Sequence, residues 1–310
     1  MRLWKQFALA IVMSVAAVGT TDAGVITGPG GAVTVGIDTG GNIFDPGPYI
    51  GFRRNSNGFD PISPGTPHEG WGASVGGIGG RVQPQYLGNQ NFVSNGSSFL
   101  PSSATTSGFI NNGSGNALRV DHAFSFVASN VMAIDVKMTN LSGATNTMNY
   151  RRLGDWDINP TPFSEIITAN AAAGDFKQST FQGFQSGNPL DGWGSLIPPA
   201  GGTFGPADIG AGIEIEFLNV ANGASREFAI YYAISLDGQS EAQLRAQLQA
   251  LGLLYIISGR STNTSGQVNS FALGYGFARV IPEPASMTVF GAVAVGGVVT
   301  LLRRRKTAVA

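Results

Sequence analysis

Apolar and polar residues alternate along several short stretches of the chain, a pattern typical of β-strands that bury one face. The clearest alternation spans residues 118–126 and 132–138, and Ser129-Asn130 lies between these stretches where a turn would fit. Such a pair of stretches predicts an antiparallel hairpin. Because only one face of each strand is apolar, the sheets should be covered on one side, as in a sandwich.

The same alternation predicts further strands at residues 33–37, 148–153, 213–217, 228–236, 253–257 and 271–277. Between them, residues 38–115 and 169–210 are rich in Gly, Pro, Ser and Asn and are expected to be loop-rich. Within the first of these, Ser94 to Gly115 should form a long exposed loop or a weak edge hairpin. The predicted fold is therefore mainly β, an antiparallel β-sandwich.

One stretch has helical rather than strand periodicity. Ser240 and Gln243 have the spacing of a capping box, and Gly252 suits the C-terminal end of a helix. The apolar positions repeat at i, i+4 and i+7, at Leu244, Leu248 and Leu251. One short amphipathic helix is expected here.

The N-terminus has the layout of a secretory signal peptide. Arg2 and Lys5 are positive, residues 7–18 form an apolar core, and Thr21-Asp22-Ala23 offers a small-residue cleavage site. We expect residues 1–23 to be removed, leaving residues 24–280 as one extracytoplasmic domain. An uncleaved anchor is the alternative, but a core of twelve residues is short for a membrane span.

The C-terminus carries a second apolar segment. After Pro282-Glu283-Pro284, residues 285–302 are uncharged and would form a helix of ~27 Å, close to the thickness of a bilayer core. A cationic cluster follows, at Arg303, Arg304, Arg305 and Lys306. The positive-inside rule would hold this cluster on the cytoplasmic side of a transmembrane helix.

Taken together, residues 281–306 resemble a PEP-CTERM sorting signal, in which a Pro-Glu-Pro motif precedes one membrane-length helix and a terminal Arg cluster. The resemblance implies an exported bacterial surface protein whose tail is processed by an exosortase, a membrane-embedded cysteine transpeptidase. The alternative is an ordinary single-pass anchor. Residues 60–72, residues 150–157 and the helix with its Phe/Gly-rich final strand also resemble one family of PEP-CTERM proteins, which supports the layout of the body but implies no reaction.

Composition agrees with an exported β domain. The chain contains 45 Gly and 16 Pro, and charged residues make up only 12%. Residues 24–280 carry 12 Lys and Arg against 17 Asp and Glu, so they lack the basic surface needed for a nucleic-acid partner. The absence of cysteine excludes disulfides, thiolate metal sites and cysteine nucleophiles.

Asp155 and Asp157 flank Trp156 at the end of a predicted strand. In an extended chain both carboxylates face the same side, where they could bind a hard cation such as Ca²⁺. The favoured interpretation is instead that they pair with Arg151, Arg152 or another Arg. A catalytic role is the third alternative.

A second candidate, His68-Glu69, lies in a proline-rich segment with Asp60 and Trp71. An imidazole, carboxylates and an aromatic ring could bind a sugar or act as acid and base. The favoured interpretation is a loop whose prolines and Trp71 pack on the sheet edge. His122 is expected to be a buried, hydrogen-bonded histidine rather than a ligand.

These features favour a non-enzymatic exported protein that serves in adhesion, matrix scaffolding or glycan contact. Its expected partners are the Sec export machinery, an exosortase, the membrane and exopolysaccharide. It would be held at the inner membrane at least transiently and then reach the cell surface.

The alternative is a secreted carbohydrate-active hydrolase. Hydrolysis of a glycosidic bond needs only two carboxyl groups. Asp155, Asp157 or Glu69 would supply them. This alternative predicts a concave site that joins at least two of these residues.

Overall fold

The structure is a computed structural model that describes residues 23–262 and 269–278. These residues form mainly β-strands, with one α-helix and a single 3-10 turn at Pro29–Gly31. In chain order the strands are β1 (Ala23–Thr27), β2 (Val33–Asp38), β3 (Phe52–Arg54), β4 (Glu69–Val75), β5 (Ile78–Val82), β6 (Phe92–Leu100), β7 (Ser103–Asn111), β8 (Asn116–Ala128), β9 (Val131–Asn140), β10 (Asn146–Gly154), β11 (Glu165–Ala169), β12 (Phe176–Thr180), β13 (Gly202–Ala207), β14 (Ala211–Val220), β15 (Ser225–Ile234), β16 (Tyr255–Ser261) and β17 (Ser270–Phe277). The mainly β prediction is confirmed.

The strands form three sheets in which neighbours run antiparallel. A three-stranded sheet has the order β1-β2-β3, and a five-stranded sheet has the order β12-β14-β10-β4-β5. The largest sheet has nine strands, in the order β13-β11-β16-β17-β15-β9-β8-β7-β6. The predicted hairpin is confirmed as β8 and β9, whose register pairs Phe124 with Ile134.

The five-stranded and nine-stranded sheets pack face to face, in the manner of a sandwich. The ring of Tyr150 on β10 lies 5.1 Å from that of Phe228 on β15, and Phe217 on β14 lies 5.5 Å from the same ring. Trp71 on β4 lies 4.7 Å from the ring of His122 on β8. Apolar residues that alternate along each strand meet in this interface and form one large core.

The three-stranded sheet also covers part of the core. The ring of Phe52 on β3 lies 5.4 Å from that of Phe271 on β17 and 6.4 Å from that of Tyr232 on β15. The small sheet is therefore anchored on the nine-stranded sheet.

The helix α1 (Glu241–Ala250) packs on the opposite face of the nine-stranded sheet. Its predicted capping box is present, with Ser240 and Gln243 each bonding the backbone of the other. Leu244 and Leu248 are buried against apolar residues of β9, β15 and β17, whereas Leu251 is 42% exposed. The predicted stripe is therefore wrong at Leu251, because the helix has already ended there.

The two stretches expected to be loop-rich contain seven strands, β3 to β7 in the first and β12 and β13 in the second. The prediction was wrong because these strands are either short, such as β3, or contain many Gly, Ser and Thr residues, such as β6 and β7, so apolar alternation along them is weak. In β4, a Cβ added to Gly72 would lie 2.2 Å from the Gly187 carbonyl oxygen, so only glycine fits. Ser94 to Gly115 forms the edge hairpin alternative, since β6 is the last strand of its sheet.

A long segment, residues 181–201, crosses the outer face of the five-stranded sheet. Arg151 on β10 donates to the Asn188 carbonyl oxygen at 2.7 Å, and its guanidinium lies 4.3 Å from the ring of Trp193. Gly187 donates to the side chain of Gln83 at 2.7 Å. This segment, called the crossing segment below, is therefore tied to the sheet at several points.

The predicted signal peptide and sorting tail lie outside the described residues, apart from Ala23, where β1 begins. The compact unit that holds the strands and the helix ends at Phe277. No helix in the described part of the chain has both the length and the apolar character needed to cross a membrane.

Candidate functional site

Two carboxyl groups follow the end of β10 on one side of the chain. Between them, Trp156 points into the core, where its ring lies 5.4 Å from that of Phe271. Because successive residues of an extended chain face opposite sides, Asp155 and Asp157 point away from that core. Each is only 6% exposed.

The predicted pairing of these carboxylates with arginine is wrong. Arg152 faces the sandwich interior and binds Glu69, with 2.7 Å between its Nε and Oε1 of the carboxylate. Arg151 faces the other side, directly opposite Glu214 in the strand register, and binds it at 2.7 Å. Both guanidinium groups are thus engaged within the sheet, and neither aspartate has an ion pair among the described residues.

The negative charges of two further carboxyl groups, Asp208 and Glu165, affect the pKa values of this pair. Burial, and then the negative charges of Asp157, Asp208 and Glu165, raise the pKa of Asp155 to about 8. Glu165 begins β11 in the other sheet, and Asp208 is an exposed residue of the loop before β14. We call these four residues the acidic cluster.

Asp157 and Glu165 also hold their protons more tightly than usual. Burial and the charge of Asp208 raise the pKa of Asp157 to about 6. Burial raises that of Glu165 to about 7, although its Oε1 accepts hydrogen bonds from the backbone N–H groups of Ile158 (3.1 Å) and Phe163 (3.0 Å). Asp157 Oδ1 and Glu165 Oε2 are buried and have no hydrogen-bond partner within the described residues. The cluster therefore combines protonated and ionised carboxyl groups near neutral pH.

His68 lies beside this cluster. The backbone N–H of Asp155 donates to the His68 carbonyl oxygen at 2.7 Å, so the two residues lie opposite each other on neighbouring segments of the chain. The His68 ring stacks on Phe184 of the crossing segment at 5.0 Å and meets the edge of Tyr86 at 4.3 Å. Its Nε2 lies 3.1 Å from the Gln83 amide, and burial lowers the pKa of His68 to about 4. It is a neutral imidazole held between aromatic rings.

His68 and Glu69 do not act together, although they are adjacent in sequence. Glu69 is fully inside the sandwich, where it binds Arg152 and accepts a hydrogen bond from the hydroxyl of Tyr232 at 2.8 Å. His68 contacts the crossing segment instead. Consecutive residues of a strand face opposite sides, which separates the two side chains. A role for Glu69 in the hydrolase alternative is therefore excluded by its buried ion pair.

Trp71 and Asp60 also have structural roles. Trp71 is 1% exposed, and its Nε1 donates to the Gly40 carbonyl oxygen at 2.8 Å. The carboxylate of Asp60 accepts hydrogen bonds from four backbone N–H groups, including those of Gly51 and Ser63. The interpretation of this segment as a loop packed on the sheet edge is therefore wrong for residues 69–72, which belong to β4, with Trp71 in the sandwich core.

His122 is buried and hydrogen-bonded, as predicted. Its Nδ1 lies 3.3 Å from the hydroxyl of Thr106, and its Nε2 lies 3.0 Å from the hydroxyl of Tyr150. Burial, and then the charge of Arg152, hold the pKa of His122 well below its usual value. It belongs to the polar network in the sandwich core.

The acidic cluster offers no clear metal site. Among the described residues, no group of three or more His, Asp or Glu side chains is arranged to hold a metal ion. Among the described residues, the structure therefore does not support the Ca²⁺ alternative for Asp155 and Asp157.

The other residues of this site could not be recognised from the sequence. Glu165 begins a short strand and Asp208 lies in a Gly/Pro-rich loop, so neither belongs to a recognisable motif. Tyr86 and Phe184 likewise lie in stretches predicted to be irregular. Only the register of two sheets and the path of the crossing segment bring them to Asp155 and His68.

No protein-family model and no curated protein matches the chain. Among solved structures, one from Escherichia coli, described provisionally as an aldose 1-epimerase, is 12% identical over 82% of this chain and 99% of that chain, with a TM-score of 0.33. A galactose mutarotase-like protein from Lactobacillus casei is 11% identical over 84% of this chain and 91% of that chain, with a TM-score of 0.36. A protein from Synechocystis is 7% identical over 82% and 84% of the two chains, with a TM-score of 0.33.

Two of these structures have the names of carbohydrate-converting proteins, which does not agree with the expectation of a non-enzymatic protein. At such TM-scores the likeness assigns no activity to this chain. Any reaction must be argued from the chain's own residues.

Proposed function

We propose that the protein is exported, contacts carbohydrate outside the cell and acts on it through the acidic cluster. The observation that carries this proposal is the contrast between two neighbouring carboxyl groups without counter-cations. With a pKa of about 8, Asp155 keeps its proton at neutral pH, while Asp157, at about 6, is mostly ionised. Hydrolysis of a glycosidic bond needs one carboxylic acid and one carboxylate, so this is the reaction that the pair supports best.

The rim of the cluster suits a sugar. Phe163 is 61% exposed, and its backbone N–H donates to Glu165, so an open aromatic ring lies beside the acids. Asp208 is exposed and could accept a hydrogen bond from a sugar hydroxyl. Buried oxygens of Asp157 and Glu165 that have no partner in the described part of the chain could accept further hydrogen bonds.

The test is binding and conversion of neutral and acidic oligosaccharides by the purified protein and its Asp155→Asn and Asp157→Asn variants. We expect the wild type to release shorter products, and each variant to lose activity by a factor of about 100 or more, as is usual when a general acid or base is removed. Asp121→Asn is the control, because Asp121 pairs with Arg119 on β8 away from the cluster. No conversion by the wild type, or equal rates in all variants, would refute the proposed reaction.

We also propose that the tail sorts the protein. The supporting features are the leader at residues 1–23, Pro282-Glu283-Pro284, the apolar run at residues 285–302 and the Arg303–Arg305 cluster. The Sec machinery would export the chain, an exosortase would process the tail, and exopolysaccharide would be the partner at the surface. Residence at the inner membrane would then be transient.

Intact-mass and peptide mass spectrometry of membrane, surface and culture fractions tests this second part. We expect a mature chain that starts at Gly24 and ends near Pro284. A stable membrane form with peptides through Arg303 would instead identify the tail as a permanent anchor.

A further inference from the structure

A separate cleft of about 290 Å³ lies at the edge of the five-stranded sheet, near the turn between β4 and β5. Its lining is uncharged. It combines two apolar side chains, Ile78 and Leu190, with the carboxamides of Gln90, Asn91, Asn112 and Asn188 and with two glycines. The length of β4 separates this cleft from the acidic cluster, a distance of about 20 Å along the strand.

The carboxamides are held in place by the protein, yet each keeps part of its hydrogen-bonding capacity. Asn91 Nδ2 donates to the Gly79 carbonyl oxygen at 2.8 Å, and Asn188 Nδ2 donates to Gln90 Oε1 at 3.3 Å. Asn112 Oδ1 accepts from the backbone N–H groups of Ser114 and Gly115, at 2.8 and 2.9 Å.

Three polar groups of these side chains have no hydrogen-bond partner among the described residues and remain for a ligand. Gln90 Nε2 and Asn112 Nδ2 are donors, and Asn91 Oδ1 is an acceptor. Because the other end of each amide is fixed, binding a ligand would cost little side-chain entropy.

The apolar side chains complete the site. Leu190 lies in the crossing segment and is 50% exposed, and Ile78 is half-buried. A sugar ring presents hydroxyl groups at its edge and C–H groups on its face, so it needs both amides and aliphatic side chains. The volume is close to the lower end of the range for small-molecule sites, about 300 Å³.

We propose that this cleft binds a neutral glycan chain, at a site distinct from the acidic cluster. The uncharged lining offers no cation for a uronate, sulfate or phosphate group. The site would hold a polymer while the acidic cluster acts on it, and it does not depend on the chemistry of that cluster.

The experiment is affinity electrophoresis of the purified full chain through gels that contain a neutral polymer, such as dextran or a β-glucan, or an acidic one, such as alginate. We expect retention by at least one neutral polymer. Leu190→Ala and Asn112→Asp should each weaken it about five-fold, as expected for the loss of an apolar contact or of one hydrogen bond. Asn112→Asp keeps the Oδ1 acceptor that closes its turn, so this variant should fold.

Two matched controls separate the cleft from the general surface. Leu218→Ala changes another exposed leucine, 62% exposed, and Asn95→Asp changes an exposed asparagine of β6. Both should be retained as the wild type is. Retention requires no hydrolysis, so failure of the reaction at the acidic cluster and failure of this cleft can be told apart. No retention by any neutral polymer, or unchanged retention in both cleft variants, would overturn the proposal.

Discussion

Asp155 and His68 lie directly opposite each other, joined by a 2.7 Å hydrogen bond from the Asp155 backbone N–H to the His68 carbonyl oxygen. Burial acts on the two side chains in opposite senses. It raises the pKa of the carboxyl group to about 8 and lowers that of the imidazole to about 4. Both groups are thus neutral around pH 7, one as a proton donor and the other as an imidazole. This neutral pair lies beside Asp157, which carries a charge.

The acidic cluster should make the fold less stable as the pH rises from 6.5 to 8.5. In that window the unfolded chain has already released the protons of Asp155 and Glu165, whereas the folded chain still binds them, with pKa values of about 8 and 7. Stability therefore falls as these protons are lost from the folded state. His68 has the opposite effect below pH 6.5. Because its pKa in the folded state is lowered to about 4, the unfolded chain binds this proton first, and the free energy of unfolding falls as the pH falls.

Asp155→Asn should flatten this pH dependence and stabilise the protein at pH 8.5, on the order of 1–3 kcal/mol, since a buried charge is removed while the shape is kept. Urea unfolding at pH 6.5 and 8.5 measures the effect, with Asp121→Asn as the control. If the free energy of unfolding of Asp155→Asn changed with pH as much as that of the wild type, the Asp155 carboxyl group would be shown to ionise normally. Greater stability together with lost activity would mark Asp155 as functional rather than structural.

If the acidic cluster carries the reaction, its rate should follow a bell-shaped pH profile. The acidic limb should reflect ionisation of Asp157, near pH 6, and the alkaline limb loss of the proton from Asp155, near pH 8. Because the two carboxyl groups interact, both limbs belong to the coupled pair. Initial rates on one oligosaccharide between pH 4.5 and 9.5 provide the measurement, and a profile flat from pH 5 to 9 would contradict the assignment.

Breaking the ion pair between Glu69 and Arg152 should destabilise the fold strongly. Both side chains are fully buried, and Glu69→Ala would leave the guanidinium without its carboxylate, at a cost of about 3–5 kcal/mol. The matched control is Glu227→Ala, which breaks a pair with Lys137 whose side chains are about half exposed. That change should cost no more than about 1 kcal/mol. Equal losses of unfolding free energy in the two variants would refute the structural role of Glu69.

Phe184→Ala should raise the pKa of His68 from about 4 towards its ordinary value. The stacked ring, 5.0 Å away, is part of the apolar cover that excludes water from the imidazole. NMR titration of the histidine ring resonances gives this pKa directly. Phe163→Ala is the control, because that ring is 61% exposed and lies on the side of Glu165. An unchanged His68 pKa in Phe184→Ala would show that the crossing segment does not shield it.

Local pattern predicted much of this fold. Strands β8, β9, β14, β15 and β17 have large apolar residues at every second position, so the face that points into the core could be recognised in each. The capping box of Ser240 and Gln243 is equally local and marked the start of the helix. Strand β4 was not predicted, because glycines such as Gly72 lie where another backbone segment approaches closely. A glycine has no side chain and adds nothing to an apolar–polar pattern.

The site was harder to predict, because its chemistry depends on contacts between distant residues. Asp155 and Asp157 could be recognised as a pair on one side of the chain. Their lack of an arginine partner could not be predicted, because Arg151 and Arg152 bind carboxylates on neighbouring strands. Glu165 joins the cluster only because β11 of the other sheet begins beside the end of β10.

The position of β17 delays the folding of the nine-stranded sheet during synthesis. This last strand lies between β16 and β15, inside the nine-stranded sheet. A chain that emerges from its N-terminus therefore leaves both of those strands with an open hydrogen-bonding edge until Ser270–Phe277 arrives. Folding of the large sheet can be completed only after Ser270–Phe277 has been synthesised. Until then the open edges of β15 and β16 are exposed to strand exchange with neighbouring chains.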